Sequence, residues 1–460
     1  MPNNNTESLM KIEELEYQVD SSLFYEKISH LEWPVFLDSC YQKDKPKNSF
    51  ARFDIVVANP FIKLSTTKGV TKIIDAEGTR DTKEPALDVL SKVMKKYPSV
   101  SSKIPFIGGA MGYCAYGLNL EESKSGLVNS MMIGIYDWAI VTDHLDERSY
   151  LVSTFKYEET KENWPKLLDL LKSKTKKNKK KFVIKSEITG NLSYAEYKKQ
   201  FETVMKYIGS GDCYQINLSK KFEVDTLGDS WDLYKKFRSI NKSPFMAYLS
   251  YPDFQILSGS PERFIKSFDK NVSTRPIKGT RVRGKDMKQD KKNANELLNS
   301  LKDKSENLMI VDLLRNDLSI NCEPGSIRVD ELFAIESYPN VHHLVSTISG
   351  KLKEDSNIFK LFKDSFPGGS ITGAPKIRAI EIIDELEKHS RDFYCGSVCY
   401  FSFNESMDSN IAIRSMIHTD NKIHFYSGGG LTFSSNAEDE YQEIEDKSQN
   451  IKQAIKFFQE

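Results

Sequence analysis

Phe254-Gln-Ile-Leu-Ser-Gly-Ser-Pro-Glu-Arg-Phe-Ile-Lys-Ser-Phe-Asp-Lys-Asn-Val-Ser-Thr-Arg-Pro-Ile-Lys-Gly-Thr280 is the stretch on which the fold class turns. Two apolar runs lie before a turn signal, Asp269-Lys270-Asn271, and a third follows it, so strands joined by a hairpin are predicted. A hairpin centred on residue 270 pairs positions whose numbers sum to 540, which places Glu262 opposite Lys278 on one face. A carboxylate and an amine held in this way are either a surface ion pair or an acid and nucleophile pair, and spacing leaves both open. Pro276 and Gly279 interrupt the ladder beside Lys278, as expected where a backbone approaches a ligand.

Working outward, the chain alternates between long strands and helices. Helical spacing covers Tyr194 to Ile208, Tyr234 to Ile240, Ala294 to Leu318, Pro375 to Lys388 and Glu438 to Gln459. Cys213 to Phe222 alternates as a strand, and Cys395 to Gly430 reads as a meander turning at Asp420-Asn421. Earlier, Phe53 to Val57 is a strand stopped by Asn59-Pro60. Met131 to Thr142 and Ser149 to Thr154 form a hairpin around residues 144–147, and a helical stretch closes at Leu167 to Lys174. Hairpin links of this kind predict an α+β fold rather than a doubly wound parallel sheet.

The chain has 460 residues, enough for two or three domains or one large sheet-rich body. Lys+Arg and Asp+Glu are 65 each, and this neutrality argues against a nucleic-acid binder or a membrane-surface protein. Six Cys without a Cys-x-x-Cys pair argue against a disulfide scaffold or a structural zinc site. No apolar stretch reaches membrane-span length, and Met1 to Lys11 lacks the apolar segment of a secretory leader, so a cytoplasmic address is expected. Residues 1–12 read as a disordered lead-in. The basic run Lys174 to Lys181 has no interleaved aromatics and reads as a solvated linker over 174–189 rather than a nucleic-acid patch.

Three further features could carry chemistry. Asp303 and Glu306 lie three apart on one helix, and Glu440, Glu443 and Lys447 share a face of another. Carboxylates on two helices facing one cleft would suit Mg²⁺, while two solvated faces are the plainer alternative. Pro367-Gly-Gly-Ser-Ile-Thr-Gly-Ala-Pro-Lys376 opens a helix and Ser427-Gly-Gly-Gly430 ends a strand, so both could offer N–H groups to an anion. Neither is a Walker A loop, because Gly-Lys-Ser/Thr is absent, and an NTPase is rejected. Arg414 shares a strand face with Ala412 and Met416, opposite Ile411, Ile413 and Ile417; that face is solvent or a carboxylate clamp.

Seven collinear segments resemble the chorismate-binding enzyme family: Gly211 to Ser219, Ser260-Pro-Glu-Arg-Phe264, Pro276-Ile-Lys-Gly-Thr280, Glu306 to Asp317, Val341-His-His-Leu-Val-Ser346, Gly368 to Pro375 and Glu440-Tyr-Gln-Glu443. They define a catalytic region over 190–455. Residues 13–173 resemble the family's more variable N-terminal part, clearest at Phe106-Ile-Gly-Gly-Ala-Met-Gly-Tyr113. The resemblance implies an α/β/β/α arrangement with large antiparallel sheets packed between helices, in two interleaved subdomains.

Within the family, enzymes that add water to the ring carry a lysine base where this chain has Gln215, and glutamine cannot act as a base. Anthranilate synthases carry Ala at the position of Lys278; the aminating branch carries Lys. The resemblance therefore implies amino-group transfer to chorismate, giving 4-amino-4-deoxychorismate on the route to 4-aminobenzoate and folate. An anthranilate-forming component and a non-catalytic tryptophan-sensing subunit are the alternatives. In the implied mechanism Lys278 attacks C2, Glu262 protonates the departing 4-hydroxyl and ammonia displaces the lysine, with His343 near the leaving group. Mg²⁺ on Glu306 and Glu443, with Asp303 and Glu440 nearby, would meet the ring carboxylate. Ser370, Gly429 and Lys447 would complete that pocket. Tyr394, Arg414 and Gly430 would hold the enolpyruvyl carboxylate. A bound L-tryptophan is implied by Leu37-Asp-Ser39, Phe50-Ala51-Arg52-Phe53 and Pro244-Phe245-Met246, although Asp38 departs from the usual Glu. No Gly-x-Cys-x-Gly elbow occurs, so a separate glutamine amidotransferase subunit is implied as the ammonia source.

Overall fold

A computed structural model describes residues 10–43, 51–120, 124–173, 181–338 and 341–459. Two large antiparallel sheets, of thirteen and twelve strands among the described residues, pack face to face with helices outside them. The first sheet starts at Lys11–Leu15. It runs through Val35–Asp38, Phe245–Ser250, Phe254–Ser260, Ser415–Thr419 and Lys422–Thr432 to Gln215–Leu227 near its far side. The second runs from Ile277–Val282 and Val341–Lys351 through Arg263–Phe268, Ser397–Ser402 and Gly109–Cys114 to Gly78–Thr82. The α+β expectation and its layered form hold.

Side-chain alternation shows why these strands read as nearly continuous apolar runs. Val35, Ile55, Val57, Ala247, Leu249 and Ile256 enter the core shared by the two sheets. Their neighbours Phe36, Val56, Met246, Tyr248 and Leu257 enter a second core, between the first sheet and its helices. A strand buried on both faces has no polar side to display. Both sheets draw strands from the early and the late chain: Val35–Asp38 pairs with Phe245–Ser250, and Gly109–Cys114 with Ser397–Ser402.

Several expected boundaries move. Met131 to Thr142 is two strands in different sheets, Met131–Tyr136 and Trp138–Asp143, separated at Asp137. Asp137 is buried and accepts the N–H groups of Lys156 and Tyr157 at 2.8 and 3.1 Å, which ties the crossing in place. The long helix over Ala294 to Leu318 is two helices, Met287–Asn299 and Leu301–Ser319; Ser300 ends one and its hydroxyl accepts from the Asp303 N–H of the next. The lead-in expected to reach residue 12 stops sooner, because Lys11 and Ile12 pair with Ser153 and Val152; residues 1–9 lie outside the described residues. Of the expected linker, 174–180 lies outside the described residues, while Val183–Ile184 and Thr189–Gly190 are bonded to Gln215–Leu227.

Candidate active site

The hairpin carries the first functional pair, in a register one residue from that expected. Asp269 and Lys270 both adopt left-handed backbone, at φ 49° and 60°, so the loop has two residues and Phe268 pairs with Asn271. Paired numbers then sum to 539 rather than 540, and Ile277 rather than Lys278 falls level with Glu262. The Ile277 N–H bonds the Glu262 carboxylate. Lys278 belongs to a further strand, Ile277–Val282, which pairs with Val341–Lys351 and breaks register between Ile277 and Thr280. Gly279, at φ +82°, sits in that break, and a Cβ there would stand 2.8 Å from both Asp303 Oδ1 and Leu297 Cδ1. A one-residue slip would ordinarily turn Lys278 to the opposite face; the irregular strand brings it back beside Glu262.

Ser370 joins the two groups. Its hydroxyl donates to Glu262 Oε1 at 2.8 Å, and its carbonyl accepts from Lys278 Nζ at 3.2 Å. Burial pushes the Glu262 carboxyl up to about 7, against the opposing pull of Ser370 and Lys278. Burial also lowers Lys278, opposed by Glu306 and Glu262. Burial therefore shifts each group toward its neutral form, the form needed for proton donation by the acid and for nucleophilic attack by the amine.

His343 is buried, shares a 2.8 Å hydrogen bond between its Nδ1 and Thr280 Oγ1, and is held neutral down to about 3 by desolvation and by Arg414. Arg414 does not lie in a strand as expected. Residues 411–414 cross from one sheet to the other, and Arg414 takes φ 51° at the bend just before Ser415–Thr419. Its guanidinium feels the Glu262 charge. Gln215 is fully buried, and neither its Oε1 nor its Nε2 has a partner among the described residues, so a buried amide is left for a ligand to satisfy.

Gly428–Gly430 lie inside Lys422–Thr432 rather than at its end, because the ladder to Asn217–Ser219 continues through them. A Cβ on Gly430 would stand 2.9 Å from Gln215 Nε2, and one on Gly429 3.1 Å from Glu440 Oε2. Lys447 Nζ donates to the Gly428 carbonyl at 3.2 Å and pairs with Glu443 at 2.5 Å. Tyr394 is buried and stacks on Tyr426 at 5.5 Å.

The acidic helices meet as expected, with one exception. Burial raises Glu306, and the negative charges of Glu440 and Glu443 add to that; Glu440 is raised in the same way, whereas Lys447 lowers Glu443. Glu306 Oε1 is buried without a partner among the described residues. Among those residues no three carboxylate, imidazole or thiol groups converge closely enough to enclose a metal by themselves. Oxygen donors from one or two carboxylates, completed by water, are the usual Mg²⁺ holding, so the donor set fits. Asp303 is the exception: it is ion-paired with Arg281 at 3.0 Å, beneath Gly279.

A second cavity, of about 280 Å³, lies between the sheets and is lined by Ser39, Arg52, Phe53, Pro244, Phe245 and Met246. Arg263, Lys266 and Asp408 also line it. Ala51 is half-buried outside this lining, and Phe50 lies outside the described residues. Asp38 is on the wall, with its carboxylate bonded by Arg238 Nε at 2.5 Å and the Tyr234 hydroxyl at 3.0 Å.

Residues 39–453 match the family described as chorismate binding enzyme. The chain belongs to the chorismate-binding enzyme family. It is 40% identical to aminodeoxychorismate synthase component 1 of Escherichia coli, covering 95% of this chain and 96% of that one. It is 32% identical to anthranilate synthase component 1 of Aquifex aeolicus, over 89% and 87% of the two chains. A solved structure of anthranilate synthase component I from Streptococcus pneumoniae superposes with a TM-score of 0.78 at 28% identity, covering 89% of this chain and 95% of that one. The match takes in both sheets, in keeping with the interleaving of early and late strands.

Two contacts of this candidate site escape sequence reasoning. Thr280 shares a face with Lys278 by strand period, a signal that could have found it beside His343. That Ser370 meets Lys278 through its backbone carbonyl has no sequence signal, since any residue supplies one.

Proposed function

We propose that this chain is the chorismate-converting component of an aminodeoxychorismate synthase, joining ammonia to chorismate at C4 and releasing water. The observation that carries the reading is the Glu262–Ser370–Lys278 bridge, a buried acid and a half-buried lysine on either side of one serine. The neutral Lys278 amine bonds to C2, the two ring double bonds each shift by one position, and the C4–O bond breaks as Glu262 supplies the proton that makes water of the leaving group. Ammonia then bonds to C4 as the C2–N bond breaks, and Glu262, now a carboxylate, takes up the proton that ammonia sheds. Two allylic displacements restore the ring pattern, and splitting one substitution in two is the gain of a covalent step. The enolpyruvyl ether survives because no proton leaves C2.

The remaining residues bind and orient. Arg414 offers its guanidinium to a carboxylate, and the orphaned Gln215 amide a hydrogen bond. Glu306 and Glu443, with Glu440 near, would hold Mg²⁺, which supplies positive charge for the ring carboxylate. A partner component that hydrolyses glutamine would supply ammonia, and L-tryptophan would occupy the cavity between the sheets.

The test is incubation of wild type and Lys278→Ala with chorismate, Mg²⁺ and ammonium, followed by mass spectrometry. Wild type should yield aminodeoxychorismate and a covalent protein adduct, and the variant neither. Anthranilate with pyruvate from wild type would overturn the reading in favour of the other branch.

A further inference from the structure

Arg391 touches no member of the Glu262–Ser370–Lys278 bridge, yet it joins two segments that carry the site, and its guanidinium lies 6.0 Å from the centre of the Tyr394 ring. It is 3% exposed, and each of its five N–H groups has an acceptor. Nε and Nη2 bond the two oxygens of Glu387, each at 2.8 Å. Nη2 also donates to the Asn217 carbonyl at 2.8 Å, and Nη1 to the Ile371 carbonyl at 3.1 Å and to Cys395 Sγ at 3.7 Å. Glu387 in turn accepts the Ser219 N–H and hydroxyl, both at 2.8 Å.

The two carbonyls locate the effect. Ile371 directly follows Ser370 in the short turn Gly369–Ile371. Asn217 lies two residues beyond Gln215 on Gln215–Leu227, so it faces the same side. Besides this clamp, the turn is held by a 3.4 Å bond from Thr372 N–H to the Gly369 carbonyl, by Thr372 hydroxyl bonds to the Gly368 and Gly369 carbonyls at 3.1 and 3.3 Å, and, on its far side, by a 2.8 Å bond from Asn217 N–H to the Thr372 carbonyl and the pairing of Gly373–Ala374 with Gln215 and Ile216. A buried ion pair is a poor source of stability, since desolvation offsets its attraction. A planar fork with fixed donor directions is instead a good gauge of distance between two backbones.

We propose that Arg391 is a positioning residue: by clamping the Ile371 and Asn217 carbonyls, it sets where Ser370 stands between Glu262 and Lys278. The role rests on the reading of the site given above. Lysine at this position would keep a charge against Glu387 but could not span both carbonyls. Arg391→Met with Glu387→Leu removes both charges at similar volume and leaves neither buried ion alone.

The experiment measures steady-state conversion of chorismate with ammonium by wild type, Arg391→Lys and the Met/Leu double variant, each first shown to be folded by circular dichroism. The expected result is a kcat about a hundredfold lower, with KM for chorismate within about threefold of wild type. The Ser370 hydroxyl lowers the Glu262 carboxyl, so its displacement should move the alkaline limb of the pH profile upward. Ser370→Ala should give the same shift and add little to the loss in an Arg391 variant. Folded variants with kcat within about threefold of wild type would overturn the role, as would losses that add to that of Ser370→Ala with an unmoved pH profile. Wild-type output separates the failures: no conversion by wild type sinks the functional reading, whereas normal wild-type turnover with unaffected variants sinks the positioning role alone.

Discussion

A carboxyl that must release a proton near neutrality has to be poorly solvated, and Glu262 is 5% exposed with a pKa pushed up to about 7. The unfolded chain ionises it near the ordinary glutamate value of 4.5, so folding is penalised as pH climbs from there to about 7 and fully above it. Glu262→Gln should therefore abolish turnover while stabilising the fold at pH 8, on the order of 3 kcal/mol, with little gain at pH 4. Urea unfolding at the two pH values checks this, and equal effects at both would refute the protonation argument. The same residue sets the alkaline fall of the activity profile at about 7, because the acid must be protonated. Lys278 must be neutral to attack, a form that burial favours, and initial rates of chorismate loss over a pH series check the alkaline fall.

At the scale of the element, the strand Ile277–Val282 aims its lysine through an irregularity and not through pleat. Gly279→Ala should put a methyl against Asp303 and Leu297 in a left-handed backbone. The expected result is a loss of about 1–2 kcal/mol of stability and of tenfold or more in kcat, read by thermal melts and initial rates. This element also marks how far sequence reasoning reaches. The strands, the Asp269-Lys270 turn and the pairing of acid with amine are legible, because alternation and turn residues act locally. The register is not, because two left-handed residues give a two-residue loop where a three-residue one was expected. The helix break at Ser300 was lost in the apolar periodicity that runs through both helices. Arg414 reads as a strand residue because Ile411, Ile413 and Ile417 mimic strand alternation where the chain is crossing between sheets. Arg391 has no comparable signal, since the two acceptors that give it a role, the Ile371 and Asn217 carbonyls, are backbone groups, which sequence does not display.

For the molecule as a whole, the cavity between the sheets is the feature that couples early and late chain, with Ser39 and Arg52 on one side and Phe245 and Met246 on another. A ligand there binds only the assembled protein, so L-tryptophan should raise the melting temperature with the logarithm of its concentration. Met246→Trp, which fills the space covalently, should blunt that response while sparing the Glu262–Ser370–Lys278 bridge. Differential scanning fluorimetry over a tryptophan series checks both, and a flat response in wild type would refute tryptophan as occupant.

Interleaving has its own cost during synthesis. Val35–Asp38 waits for Phe245–Ser250, Gly109–Cys114 for Ser397–Ser402, and Gln215–Leu227 for Lys422–Thr432. Neither sheet can close until nearly the whole polypeptide has left the ribosome, and meanwhile the nascent strands offer open edges and two greasy faces to their neighbours. Cellular yield of this protein should therefore follow chaperone capacity and translation speed more closely than the stability of the finished fold.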